Sequence, residues 1–258
     1  MPVATQVLAG NKADERLYIP AIKRVRDTLQ CRGQLYIGDC KMAAIATRGF
    51  VAAGEDYYLC PLPATHIQNT QLENVLESVW AGEQELTSAY YHYPDGTTKQ
   101  IAVGYERQAT CTTTIDGTVV TWQERQLVVR SLAAAKAGEK SLRTRLSKAQ
   151  AALTDLSQLR RGKKRLTDLS FWQEAAEAIV RRYRVQGLLQ LNYELITQLR
   201  LKRRYRDRLV TEVQESSVHL KVTVDEPALD QDIRLLGWRV YVTNQPADQL
   251  SLNDAVVA

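Results

Sequence analysis

With 258 residues and 29.1 kDa, 45% hydrophobic and 24% charged, the chain is long enough for one large core or two modest ones. No apolar run reaches the length of a bilayer-spanning helix. The first residues lack the basic segment and cleavage site of a secretory leader, and the four cysteines (Cys31, Cys40, Cys60, Cys111) form no CxxC pair, so they read as reduced core thiols. The net charge of +5 hides an asymmetry: residues 136–208 hold 19 Lys/Arg against 7 Asp/Glu, and the remainder 15 against 22, so the middle of the chain suits a polyanion.

Residues 3–8 read as a strand, followed by turn and cap residues at 11–14. Ile22, Val25 and Leu29 share one face of a helix that runs to about residue 30. A short apolar strand over residues 35–37 then delivers Asp39 to its carboxyl end. The next helix, residues 42–53, is rich in small residues and closes at Gly54. Residues 57–62 form a buried strand stopped by Pro61 and Pro63. Thr70 to Glu73 is a capping box for a helix that ends at Gly82.

Pro94-Asp-Gly96 and Asp116-Gly117 are hairpin signals within β-rich text. From about residue 130 the pattern turns helical. Leu142, Leu146, Ala149, Leu153 and Leu156 alternate spacings of four and three, which predicts a helical hairpin with residues 160–165 at its tip. Its second helix is expected to start at a Ser170 cap and end near Gly187. Strands over 188–199 and 218–224 follow, then a helix with Pro227 in its first turn, and a strong strand over 238–244. Ser251 to Asp254 is a capping box with barely one helical turn after it.

In open α/β sheets, ligands gather outside the carboxyl ends of the strands, which places Asp39 where chemistry is expected. A capping aspartate would look the same. Arg160, Arg161, Lys163, Lys164 and Arg165, and then Lys202, Arg203, Arg204, Tyr205 and Arg206, are the sharpest basic clusters. They suit phosphate contact, with Tyr205 able to stack on a base, although solvated loop tips carry similar runs. His66, His92 and His219 lie too far apart for metal-ligand spacing. Trp80, Trp122, Trp172 and Trp238 read as core, and Asp14 and Asp56 as turn or cap residues.

Several stretches, in this order, carry a family likeness. They are Met1-Pro-Val-Ala-Thr-Gln-Val-Leu-Ala-Gly-Asn-Lys-Ala-Asp14, Leu17-Tyr-Ile-Pro-Ala-Ile22, Tyr36-Ile-Gly-Asp-Cys-Lys-Met-Ala-Ala44 and Asp56-Tyr-Tyr-Leu-Cys-Pro-Leu62. Leu236-Gly-Trp-Arg-Val-Tyr-Val-Thr-Asn244 and Leu250-Ser-Leu-Asn-Asp-Ala-Val256 complete the set. Together they resemble the catalytic domain of bacterial insertion-sequence transposases of the DDE class, those with a β-containing insertion.

The resemblance implies an α/β fold: a partial RNase H-like mixed-sheet core from residues 1–63 and 237–258. An α+β insertion with a basic helical hairpin, residues 64–236, would interrupt it. It implies DNA transposition by metal-dependent phosphodiester hydrolysis and strand transfer, with Mg²⁺ or Mn²⁺ held by three carboxylates of which Asp39 is the second. The first belongs on a strand before Met1 and the third on a helix beyond Ser251.

The chain is therefore expected to be an internal, truncated piece of such an enzyme, inactive alone and not holding the metals by itself. Its expected partners are the DNA ends of a transposable element and a second copy or a full-length transposase, in the bacterial cytoplasm near the nucleoid. The alternative is a non-catalytic DNA-binding or interfering fragment that pairs with the full-length enzyme.

Overall fold

The computed structural model describes residues 17–63, 69–157, 168–202 and 211–258, and its architecture is mixed α/β. In chain order the elements begin with α1 (Tyr18–Leu29), β1 (Leu35–Ile37), α2 (Ile45–Ala53), β2 (Tyr57–Pro61) and α3 (Asn69–Trp80). Then come β3 (Thr87–His92), β4 (Thr98–Ile115), β5 (Thr118–Ser131), α4 (Leu132–Ser157) and α5 (Leu169–Tyr183). The series closes with β6 (Leu189–Lys202), β7 (Thr211–Val224), α6 (Glu226–Leu235), β8 (Trp238–Thr243) and α7 (Leu252–Val257). The chain divides into two compact units, Met1–Lys136 with Leu235–Ala258, and Ala137–Arg234. The strand expected at residues 3–8 lies outside the described residues.

The first unit is built on a six-stranded sheet in the order β1-β2-β8-β5-β4-β3. β1 and β2 are parallel and joined through α2, and every other neighbouring pair is antiparallel. The long β4–β5 hairpin turns at Asp116 (φ 48°) and Gly117 (φ 82°), the two consecutive positive-φ residues that a tight hairpin needs. β5 also pairs with β8 over Arg125 to Arg130. Residues 87–131, expected within an insertion, thus share a sheet with the expected core, and the separate unit begins only inside α4.

Alternation along the strands sends successive side chains to opposite faces. Tyr58, Cys60 and Val242 lie under α1 and α2 with Ile22, Met42 and Val51, while Val128, Trp238 and Val240 lie under α3 with Leu72 and Leu76. The other face buries Leu59, Leu127 and Val129 against Leu252 and Ala255 of α7. Gly49 lets α2 lie close on the hairpin: a β-carbon there would stand 2.3 Å from Thr113 Cγ2 and 3.3 Å from the Trp122 ring.

In the second unit the predicted seam is buried: Leu142, Leu146 and Ala149 pack with Val185, Leu188 and Leu229, and Leu153 packs with Trp172, Ala176, Val218 and Leu220. β6 and β7 form a two-stranded antiparallel ribbon. The α5 cap is Asp168, whose carboxylate accepts from the Ser170 amide at 3.0 Å. The helix stops at Tyr183 because Arg184 takes the left-handed conformation (φ 53°), three residues before the expected Gly187. The hairpin tip at residues 160–165 lies outside the described residues.

Candidate functional site

Gly38 extends β1 by donating its amide to the Leu59 carbonyl at 3.1 Å, which fixes where the next residue, Asp39, leaves the sheet. A side chain at Gly38 would collide with Met42: a β-carbon there would stand 2.5 Å from Met42 Sδ and 2.9 Å from its Cβ. Met42 is fully buried and donates its amide to the Asp39 carbonyl at 3.0 Å. The Gly-Asp-x-x-Met spacing is therefore a tight turn whose last residue plugs the core. This turn delays α2, which starts at Ile45 rather than the expected Met42 and has Ala44 at its N-cap with no side-chain bond.

Asp39 does not cap that helix. Its Oδ1 accepts from the Lys41 amide at 2.8 Å, an Asx turn, and from the Tyr18 hydroxyl at 2.8 Å. Both of these bonds fall on Oδ1, and the Met42 amide also acts on the carboxyl. The Tyr18 hydroxyl and then the Lys41 amide hold the Asp39 carboxyl below its ordinary range, and burial together with the bond to Asp39 pushes the Tyr18 phenol up to about 12. Asp39 is exposed on the rim of a cavity of about 560 Å³ whose walls include Pro61, Leu62, Leu72 and Trp238. This cavity lies beyond the carboxyl ends of β1 and β2.

An ionised aspartate offers the hard oxygen that Mg²⁺ and Mn²⁺ prefer. Among the described residues, however, no three His, Cys, Asp or Glu side chains converge as a metal-binding group. A two-metal centre needs several carboxylates, so the described residues do not fit one by themselves.

Asp56 is a buried structural residue: it accepts from Arg26 Nε at 2.6 Å and from the Gln34 amide at 3.0 Å. His219 is exposed on its strand, and His92 bonds Thr98 at 3.0 Å. Trp172 and Trp238 are buried, and Trp122 donates to the Tyr58 hydroxyl at 2.8 Å. Cys60 is buried and Cys111 half-buried, but Cys31 and Cys40 are exposed rather than core thiols, because both sit in turns flanking β1. Lys202 ends β6. Arg160, Arg161, Lys163, Lys164, Arg165, Arg203, Arg204, Tyr205 and Arg206, like Asp14 and His66, lie outside the described residues.

Sequence reasoning missed a buried polar cluster. Arg48 of α2 pairs with Glu124 of β5, which also accepts from the Tyr58 hydroxyl at 2.5 Å, and Arg48 Nε donates to the Ala43 carbonyl at 2.8 Å. On the opposite face of the sheet, Arg125 grips Glu106 through two bonds, at 2.9 and 2.7 Å, and ties down the carbonyls of Gln245 and Leu250. The available signal was a charged residue in the middle of the small, apolar helix 45–53. Its members partner one another within the sheet unit, a structural arrangement.

Comparison of the chain with protein-family models, with curated proteins and with solved structures finds no match.

Proposed function

We propose that the chain is part of a DDE-class transposase catalytic domain, that its sheet unit includes an RNase H-like core, and that Asp39 is one of the ligands of its divalent cations. The observation that carries this reading is an exposed aspartate, oriented by two hydrogen bonds, at the carboxyl end of a parallel strand pair joined by a helix. The ordered likeness of the flanking segments supports it. The activity of the whole enzyme would be metal-dependent hydrolysis and strand transfer at the ends of a mobile DNA element, in the bacterial cytoplasm.

One carboxylate does not hold two cations, so on this reading the described residues contact DNA without cutting it. The charge of residues 136–208 favours a second reading, in which the chain binds DNA and pairs with a catalytically complete transposase, interfering with it.

Both readings meet one experiment. Binding to a fluorescent duplex between about 50 and 200 mM salt should weaken at least tenfold, the mark of phosphate contacts. With Mn²⁺ and supercoiled DNA, neither the chain nor Asp39→Ala should nick. Nicking that disappears in Asp39→Ala would show a working centre and overturn the inactivity. Absent or salt-independent DNA binding would overturn the nucleic-acid role.

A further inference from the structure

We propose that the carboxyl-terminal end of α5, with the neighbouring turn of α4, is a surface that holds the phosphate backbone of DNA. The inference rests on the nucleic-acid reading above and assigns the contact to one part of the chain. Arg145 of α4 reaches across to α5: its Nη1 donates to the Arg184 carbonyl at 2.6 Å and to the Tyr183 carbonyl at 3.3 Å. That bridge brings together cations from distant parts of the chain. Lys148 stands one turn after Arg145 on α4, and Arg181, Arg182 and Arg184 occupy the last turn and cap of α5. All four are exposed.

Cations at a helix carboxyl terminus ordinarily complement the helix dipole, but here the magnitudes leave a surplus. The dipole presents about half a negative charge, and Arg145 already meets it through its two bonds to the last carbonyls. Glu177 lies 4.0 Å from Arg181 in an exposed pair, which neutralises it weakly. Lys148, Arg182 and Arg184 have no carboxylate partner among the described residues. Arg184 is also held in the left-handed conformation (φ 53°), so an arginine stands where helices favour glycine.

Guanidinium groups match phosphate oxygens two at a time, and four of these five cations are arginines. An anionic membrane would also attract them, but binding there needs apolar side chains that enter the bilayer. The exposed neighbours on α4, Ser141, Thr144, Ser147 and Ala151, offer none.

The test uses the full chain and a fluorescently labelled duplex, with affinity read between about 50 and 200 mM salt. Lys148→Gln/Arg182→Gln/Arg184→Gln should bind about tenfold or more weakly at the lowest salt. The slope of log affinity against log salt should shrink by about 2–3, close to one for each phosphate contact removed. Arg184→Gly separates binding from folding. Glycine suits the left-handed cap, so the thermal midpoint should hold or rise, yet the slope should still shrink by about 1. A merely structural arginine would do the reverse, lowering the midpoint and leaving DNA binding unchanged.

Variants that bind with the parent's affinity and slope overturn this assignment and leave the nucleic-acid reading standing. A parent that binds no duplex sinks that reading first, and this surface with it. A parent that binds phosphatidylcholine–phosphatidylserine vesicles but no duplex, and loses the vesicles in the triple variant, would make the surface a membrane contact and overturn the proposal.

Discussion

At the scale of single residues, the sheet unit is specified by charges that it hides. Glu124 is 1% exposed, and it survives there because Arg48 neutralises it and Tyr58 donates to it. Burial first, and then the Glu124 charge, push the Tyr58 phenol far above its ordinary range, while burial pushes the neighbouring Cys60 thiol up to about 12. In the unfolded chain a thiol loses its proton near pH 9 and a phenol near pH 10, whereas the folded chain keeps both protonated. The stabilisation is therefore complete below about pH 9 and is lost as the pH rises beyond it. The urea midpoint should fall as the pH rises from about 9 to 12. In Tyr58→Phe it should start lower, because Glu124 loses a donor, and fall less steeply. An equally steep decline in the variant would contradict the assignment. These partners could not be read from the sequence, since Arg48 and Glu124 stand 76 positions apart and Tyr58 and Glu124 stand 66 apart. Asp39 could be, because its glycine, its turn and its buried methionine are consecutive.

At the scale of elements, the same turn is the most exacting join in the chain. Gly38→Ala places a β-carbon against Met42 Sδ and Cβ, both well inside contact distance. The Met42 side chain can rotate its end away, but its own β-carbon moves only with the backbone. The substitution should cost about 1–3 kcal/mol in chemical denaturation. An unchanged midpoint would mean that Met42 is not held as described. Elements with a strong period were readable in advance: β1, the α4 seam, the β4–β5 turn and β8 all stand where hydrophobic spacing or turn chemistry put them. Ends set by a competing local bond were not. α2 starts late because the Asx turn at Asp39 intervenes, and α5 is capped by Asp168 rather than Ser170 because the carboxylate reaches the Ser170 amide. The exposed edge of β3 is likewise managed by a remote residue, since Asn253 of α7 accepts the Tyr90 amide at 2.6 Å beside a register shift at Ala89/Tyr90.

For the whole molecule, the partition of the chain depended on a pairing that no local pattern announces. β5 lies against β8 across more than a hundred intervening residues, and this draws β3–β5 into the sheet that carries Asp39. Local alternation marks each strand but is silent on its neighbours, so the sheet that residues 87–131 join was not legible in advance. The charge asymmetry was readable directly, and the proposed DNA role rests on it. The proposed catalytic ancestry rests on the placement of Asp39 and on the ordered likeness of the segments that flank it. Mapping Mn²⁺ on the parent chain and on Asp39→Asn puts the role of Asp39 to the test. At high Mn²⁺, where a lone carboxylate makes only a weak and transient contact, paramagnetic broadening should reach the amides of residues 38–41 and vanish in Asp39→Asn while the spectrum otherwise stays that of the folded protein. Broadening that is absent there, or that persists unchanged in Asp39→Asn, would contradict the assignment of Asp39 as a metal ligand.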